Sequence, residues 1–381
     1  MIYLDYAASS PVKEAAIKIL MHSTIHDFAN PSSSHQLGLD LMDRINVIRE
    51  KMLDLLGIKR GYRVIFLSSA TEANNLVIRG LSLKKGDHVL ISPTDHPSIK
   101  VPSYQLMKEG INIDALEHTA DGLIDEKLLL EKTFLKEKLL ALSYVNNQSG
   151  HIFQIDEMVK KIKARNKSIH IHVDGVQAVG RLAINMGDML IDSLTISSHK
   201  LGGPKGIAAL IVKENVDLNP LMFGGGQEYS LRSSTLAPPL IFAFFAAFLE
   251  AMEKKDELNL KLSAFKDYIM ENLPTHCKTV IFPFRKELTS HHILMMIFPQ
   301  VKSDILMRHL EMKKIYLSTS SACSSKHNKD NEVFTHLKIK SEYHHHVIRL
   351  SMGEETTLDE IKLFIKEISL IHLDLAGIGV K

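Results

Sequence analysis

Six short runs rich in aliphatic and β-branched residues punctuate the chain, at 64–68, 88–92, 139–145, 168–173, 193–197 and 206–212. Most end in small polar residues and lead into helix-like stretches, such as 74–83 and 156–164. Strands that alternate with helices pair in parallel through helical crossovers, so the pattern predicts an α/β fold, a mostly parallel sheet covered on both faces. In such sheets ligands bind beyond the carboxyl ends of the strands. The chemistry is to be sought there.

The remaining bounds are quickly set. At 381 residues the chain has room for a large domain and a smaller one. The texture changes near residue 255, where charged helix-like sequence at 253–256 and 258–273 leads to isolated strands near 293–298 and 347–351 and an amphipathic helix over 358–371. This predicts a large unit over 15–255 and a small α+β unit made of 1–14 and 256–381. The longest apolar run, 236–249, is too short to span a bilayer and reads as a buried helix after a loop. With 46 basic and 44 acidic side chains, the net charge of +2 gives no footprint for nucleic acid or an anionic membrane. Two cysteines, Cys277 and Cys323, cannot make a disulfide framework and fit a reducing compartment. The start, Met1 to Tyr6, lacks a basic stretch followed by an apolar one, so the cytoplasm is the expected address.

The residues just past each strand form an informative set. Ser69-Ala70-Thr71-Glu72 has the look of a helix opening, and free N–H groups at a helix start suit a phosphate. The second run leads to His96 and the third to Asn146-Asn147. The fourth alternates, Ile169-His170-Ile171-His172-Val173, and ends on Asp174, with Gln177 three residues on. The fifth, Ser197-Ser198-His199-Lys200, sets a lysine after a buried-type strand, and glycines follow. Each could be bland alone: a cap, a polar turn, a solvated lysine. Together they match what pyridoxal phosphate needs: a lysine for its aldehyde, a carboxylate facing its ring nitrogen and an anion site for its phosphate.

At these residues the chain closely resembles the cysteine desulfurases, the NifS/IscS-like branch of the class V, fold type I pyridoxal phosphate enzymes. The resemblance runs from Tyr3-Leu4-Asp5-Tyr6-Ala7-Ala8 through Asn30-Pro31-Ser32-Ser33, Ala70-Thr71-Glu72, Val145-Asn146-Asn147 and Val173-Asp174-Gly175-Val176-Gln177. It continues through His199-Lys200, Gly203-Pro204-Lys205-Gly206, Gly224-Gly225-Gly226, Arg232-Ser233-Ser234-Thr235 and Ser321-Ala322-Cys323 to Arg349. It implies a large domain with a seven-stranded-type, mostly parallel sheet, and a smaller domain carrying the loop of the catalytic cysteine. By resemblance Lys200 binds the cofactor covalently and shuttles protons, Asp174 keeps the ring nitrogen protonated, His96 stacks on the ring, and Asn147 and Gln177 set its phenolic side. Ala70, Thr71, Ser197 and His199 hold the phosphate, joined by Thr235 from the second subunit of a homodimer. Arg349, helped by Asn30, clamps the substrate carboxylate, a task for which a planar guanidinium is suited.

Cys323, in a small polar stretch, carries the distinguishing chemistry: its thiolate takes sulfur from L-cysteine, leaving alanine and an enzyme persulfide. The long stretch from Cys323 to Arg349 suggests a loop that carries this sulfur to an acceptor protein for iron–sulfur clusters, thio-cofactors or tRNA. The rivals are a selenocysteine lyase or another class V aminotransferase and, from another class, a sulfur-carrying or regulatory protein with little turnover. The chain departs from the family pattern at Ser198, Ser234, Ser320 and Glu354, and it ends soon after its last helix, which puts scaffold pairing in doubt. Two histidine groups, His291-His292 and the triplet at 344–346, lack accompanying ligands at metal spacing and read as surface or loop residues, so no metal is expected. Gly224-Gly225-Gly226 lacks the Lys of a P-loop and reads as a tight turn near the cofactor phosphate.

Overall fold

The computed structural model describes residues 1–132, 136–319 and 331–378. Along the described chain the strands are β1 (Ile2–Tyr3), β2 (Tyr62–Leu67), β3 (His88–Ile91), β4 (Asn112–Ala115), β5 (Glu137–Ser143), β6 (His170–Asp174), β7 (Ser193–Ser197), β8 (Ala208–Lys213), β9 (Ile293–Ile297), β10 (Ile315–Tyr316), β11 (Ser318–Thr319) and β12 (Val347–Ser351). The helices used below are α1 (Glu14–His26), α2 (Gln36–Leu55), α3 (Ala70–Gly80), α4 (Pro97–Leu106), α5 (Glu126–Lys132), α6 (Ile155–Arg165), α7 (Pro238–His276), α8 (Ser303–Met312), α9 (Glu332–His336) and α10 (Leu358–Ile378).

The central sheet has seven strands in the order β2-β8-β7-β6-β5-β3-β4, with β8 alone antiparallel to its neighbours. All six strands expected from the sequence belong to it, with ends shifted by a residue or two, as hydrogen-bond assignment usually shifts them. The edge strand β4 is the seventh, too short and too mixed in polarity to stand out in sequence.

The two faces of the sheet differ. On one, Val64, Phe66, Leu140, Leu142, Ile171, Val173, Leu194 and Ile196 join a continuous core with α2, α6 and the first half of α7. The opposite face lies under α3 and α4. There two apolar clusters, one around Ile65, Leu67, Leu210 and Val212 and one around Val89, Ile91, Leu139 and Ala141, flank β6 and β7. Between them, the period-two alternation of β6 puts His170, His172 and Asp174 on the face away from Ile171 and Val173. The register pairs His172 with Ser193 and Asp174 with Thr195. A polar lane therefore runs across the buried middle of the sheet and ends at Asp174.

A three-stranded antiparallel sheet, β11-β12-β9, and the parallel pair β1-β10 lie with α8 and α10 on a second core that includes Leu294, Met296, Ile348, Leu350 and Phe364. The change of texture at 255 is not a break in structure. Residues 238–276 form one helix of 39 residues, about 58 Å long at 1.5 Å per residue. Its apolar first half, including Ile241, Phe244 and Phe248, serves the first core, and Leu262, Ile269 and Leu273 serve the second. The buried-helix reading of 236–249 agrees with this, but the charged stretch after it continues the same helix.

Two histidine expectations need correcting. His292 and His344 are buried, not on the surface. His344 Nε2 reaches the Ile339 carbonyl at 3.0 Å, and His292 Nε2 reaches the Gln177 side-chain oxygen at 3.2 Å. A neutral imidazole with one satisfied nitrogen is cheap to bury, which runs of consecutive histidines in sequence conceal. Among the described residues no group of three or more His, Cys, Asp or Glu side chains gathers as a metal site, and no helix is long and apolar enough to cross a membrane.

Candidate active site

The carboxyl ends of β6 and β7 define the site. Asp174, the last residue of β6, is buried; its Oδ1 accepts from the Val176 amide at 3.0 Å and its Oδ2 from the Asn74 side chain at 2.8 Å. Lys200 follows β7 in a single 3₁₀ turn over Ser198–Lys200, which the tight bend at Gly202 (φ +82°) and Gly203 closes back on Ser198. Its Nζ donates to the Ala7 and Ala8 carbonyls at 2.5 and 2.6 Å. Burial pushes this amine down to about 8, helped by the Arg349 and Arg181 cations and opposed by Asp5 and Asp174.

Gln177 completes a bridge: its Nε2 donates to the same Ala7 carbonyl at 2.9 Å. His96 caps the start of α4, where its Nδ1 meets the Ser98 hydroxyl at 2.8 Å. Burial lowers the His96 ring, with the Asp174 carboxylate opposing and Lys200 and Lys100 reinforcing the shift. Thr71 and His96 line one side of a cavity of about 710 Å³ together with Ser98.

At the start of α3, the Ser69 hydroxyl accepts from the Glu72 amide at 3.1 Å, as its cap position requires. Glu72 in turn accepts from the Ser68 amide at 2.7 Å and from Arg232 at 3.0 Å. Ser197 is buried at the end of β7, and His199 is half-buried with Nδ1 3.3 Å from the Ser9 hydroxyl. Burial, then the Lys200 and Lys205 charges, hold His199 down to about 4.

Arg349 lies in the middle of the small sheet, on β12 between β9 and β11. One arm of its guanidinium donates to Asp5 Oδ1 at 2.7 Å and the other to the Asn147 carbonyl at 2.9 Å, while its buried Nε has no partner. Asn147 thus meets Arg349 through its backbone. Arg349 is tied to Lys200 by charge and to Asn147 by contact, although 149 and 202 residues of sequence separate them.

Other expected residues stand apart. Asn30 is exposed in the loop between α1 and α2, and its side chain accepts from the Ser32 amide at 2.9 Å. Thr235 is exposed, and so is the glycine run at 224–226 apart from its bond to Ser233. Cys323 and Ser320 lie outside the described residues. Cys277 is buried beside Ser369, 3.6 Å away, and burial raises its thiol. At the Glu354 departure, the carboxylate pairs with Lys13 at 2.8 Å and Lys254 at 3.1 Å, joining the start of α1 to α7. Sequence reasoning missed Asn74, Asp5, Arg181, His292 and the Ala7 and Ala8 carbonyls. Asn74 carries a faint signal, a polar residue one helical turn past Ala70 at the start of α3.

A lysine, a carboxylate and a stacking ring at neighbouring strand ends, beside a helix start and an arginine, define the site of a fold type I pyridoxal phosphate enzyme. The residues present fit that cofactor. The buried Asp174 carboxylate accepts two hydrogen bonds of the four or so it can take, and Thr195 Oγ1 and Arg349 Nε are buried without partners. The model of the aminotransferase class-V family matches residues 2–364, and the chain belongs to that family. Within it the chain is similar to cysteine desulfurase IscS of Pasteurella multocida, 34% identical with 96% of this chain and 91% of the relative covered. Its fold is similar to the NifS-like protein of Rickettsia africae, 27% identical with a TM-score of 0.86, covering 98% of this chain and 99% of the other. It is also similar to a solved structure of SspA in complex with cysteine, 28% identical with a TM-score of 0.80, covering 92% and 99% of the two chains. The protein is a pyridoxal phosphate-dependent enzyme of the cysteine desulfurase family.

Proposed function

We propose that the protein removes sulfur from L-cysteine, releases alanine, and passes the sulfur through Cys323 to an acceptor protein in the cytoplasm. The observation that carries this reading is the pairing of a depressed lysine with a buried carboxylate at adjacent strand ends, faced by an arginine from the other sheet. Bound pyridoxal phosphate supplies an electron-withdrawing ring that makes the substrate α-proton and the β-carbon–sulfur bond labile. Lys200 holds the cofactor and moves protons at the α-carbon, which its lowered pKa permits near neutrality. Asp174 would hold the proton on the ring nitrogen, His96 would pack against the ring, and Gln177 and Asn147 would serve its phenolic oxygen. Ala70, Thr71, Ser197 and His199 hold the phosphate. Arg349, with its free Nε, would take the substrate carboxylate. The Cys323 thiolate would attack the substrate sulfur as the β-carbon–sulfur bond breaks, the bond's electron pair staying with the three-carbon skeleton that is protonated to alanine, and Cys323 would keep the sulfur as a persulfide.

A homodimer is supported by the exposed apolar side chains Met21, Ile25 and Phe28 of α1 and its following loop, with Leu37, Leu39 and Val47 of α2. Thr235 of the second subunit would then approach the phosphate. The test is incubation of purified protein with L-cysteine and a thiol. Alanine and sulfide should form in equal amounts with wild type and fail with Cys323→Ala, while wild type and Cys323→Ala stay yellow and Lys200→Ala does not. Full turnover by Cys323→Ala would overturn the reading in favour of a lyase or aminotransferase that needs no thiol.

A further inference from the structure

Asn74, with no exposure at all, sits at the head of the polar lane. Its Nδ2 is 2.8 Å from Asp174 Oδ2 and 2.9 Å from Ser98 Oγ. A carboxylate only accepts, so the amide nitrogen must face it, and the amide oxygen must face His172 Nε2 at 3.0 Å. That contact puts the His172 proton on Nε2. His172 Nδ1 then accepts from the Ser193 hydroxyl at 2.8 Å, and the Ser193 oxygen accepts from His170 Nε2 at 2.7 Å. Burial holds His172 down to about 3 and His170 to about 4, so both rings are neutral, as this one-way chain requires.

The second branch is equally directed. Ser98 Oγ accepts from Asn74, which leaves its own proton for His96 Nδ1 at 2.8 Å, and the Ser98 amide points to the same nitrogen at 3.1 Å. His96 therefore carries its proton on Nε2. One amide orients a carboxylate on β6 and turns the Ser98 hydroxyl onto the His96 ring that caps α4.

We propose that Asn74 is a positioning residue that couples Asp174 to His96, with His172, Ser193 and His170 locking its amide against a flip. The inference rests on the roles proposed above for Asp174 and His96. Its physical basis is that Asp174, Asn74, Ser98, His172, Ser193 and His170 are all buried, so turning any one of them strands a donor or acceptor where no water can replace it.

The experiment uses the holoenzyme labelled with ¹⁵N-histidine, together with the dissociation constant for pyridoxal phosphate. In wild type, His96 and His172 should both be neutral with the proton on Nε2. Ser98→Ala should move the His96 Nδ1 resonance, with the backbone amide of position 98 still holding the proton on Nε2, and leave His172 unchanged. Asn74→Ala should release the His172 ring, shift the His96 Nδ1 resonance as the Ser98 hydroxyl is freed, and raise the dissociation constant about ten- to a hundredfold, the range for losing a hydrogen bond to a charged group. Asn74→Asp, nearly the same size, sets a second carboxylate against Asp174 and should weaken retention at least as far, which covers the case where the alanine variant does not fold. An Nδ1 proton on either ring in wild type, or wild-type retention in Asn74→Asp, would overturn the coupling while leaving the cofactor assignment intact. Wild type that takes up no cofactor, or Lys200→Ala that still forms the yellow adduct, would overturn the site reading and this inference with it.

Discussion

Lys200 must lose its proton before it can join an aldehyde, so the rate at which apoenzyme takes up pyridoxal phosphate reports its charge. With the amine held down to about 8, about 9% is neutral at pH 7 and about 91% at pH 9. An ordinary lysine near 10.4 would be about 0.04% and 4% neutral at the same two values. The first case predicts a rise of about tenfold that bends over near pH 8; the second predicts about a hundredfold with no bend. The assay is the growth of cofactor absorbance after mixing, from pH 7 to 9.5 at constant ionic strength. A second arm tests the cause. Burial is the largest contribution and the Arg349 cation the next, so Arg349→Gln should move the bend to higher pH while leaving it below the ordinary value. An unbent hundredfold climb in wild type would refute the reasoning, and an unmoved bend in Arg349→Gln would refute the part assigned to charge.

Two further outcomes follow from the same geometry. Arg349→Lys keeps the charge but cannot reach Asp5 and the Asn147 carbonyl while offering a third donor. KM for L-cysteine should rise about tenfold or more with a smaller change in kcat, measured by initial rates; an unchanged KM would remove Arg349 from substrate binding. Arg49→Met should cost about 3–5 kcal/mol in urea unfolding, because it strands the Glu228 carboxylate. Glu228 is paired to Arg49 at 2.5 Å and to the Phe66 amide at 2.8 Å. It also opens a turn in which three successive non-glycine residues, Glu228, Tyr229 and Ser230, have φ of 49°, 60° and 64°. A loss below about 1 kcal/mol would mean that the pair is not what holds this turn.

What the sequence discloses follows from how local each cause is. Buried strands read as apolar runs, so β2, β3, β5, β6, β7 and β8 are visible in the sequence, and the Ser69 cap announces α3. The alternation of 169–174 was also visible, but its meaning was not. It puts His170, His172 and Asp174 on one face, yet nothing local says that Asn74, a hundred residues away, closes that face. The continuity of α7 was hidden for the opposite reason: the helix changes the core it serves midway, so its pattern of burial changes while its backbone does not. The burial of His292 is hidden because its partner, Gln177, comes from the turn after β6, 115 residues away.

The first ten residues make the two sheets into one site. β1 pairs with β10, and Asp5 bridges to Ser351 at the edge of β12. The Ala7 amide then donates to the Ser351 hydroxyl at 2.9 Å, and Tyr6 lies so close over Gly353 that a Cβ there would fall 2.1 Å from its ring. Beyond that anchor, the carbonyls of Ala7 and Ala8 receive Lys200, Ala7 also receives Gln177, and Ser10 donates to the Lys200 carbonyl at 3.0 Å. Asp5 holds Arg349 from the same strand of chain. A small residue at position 353 is needed for Tyr6 to seat, Tyr6 must seat for the Ala7 carbonyl to be where it is, and that carbonyl meets both the lysine and the glutamine. The position of the arginine relative to the lysine is therefore fixed by the N-terminal segment, not by direct contact between the two side chains.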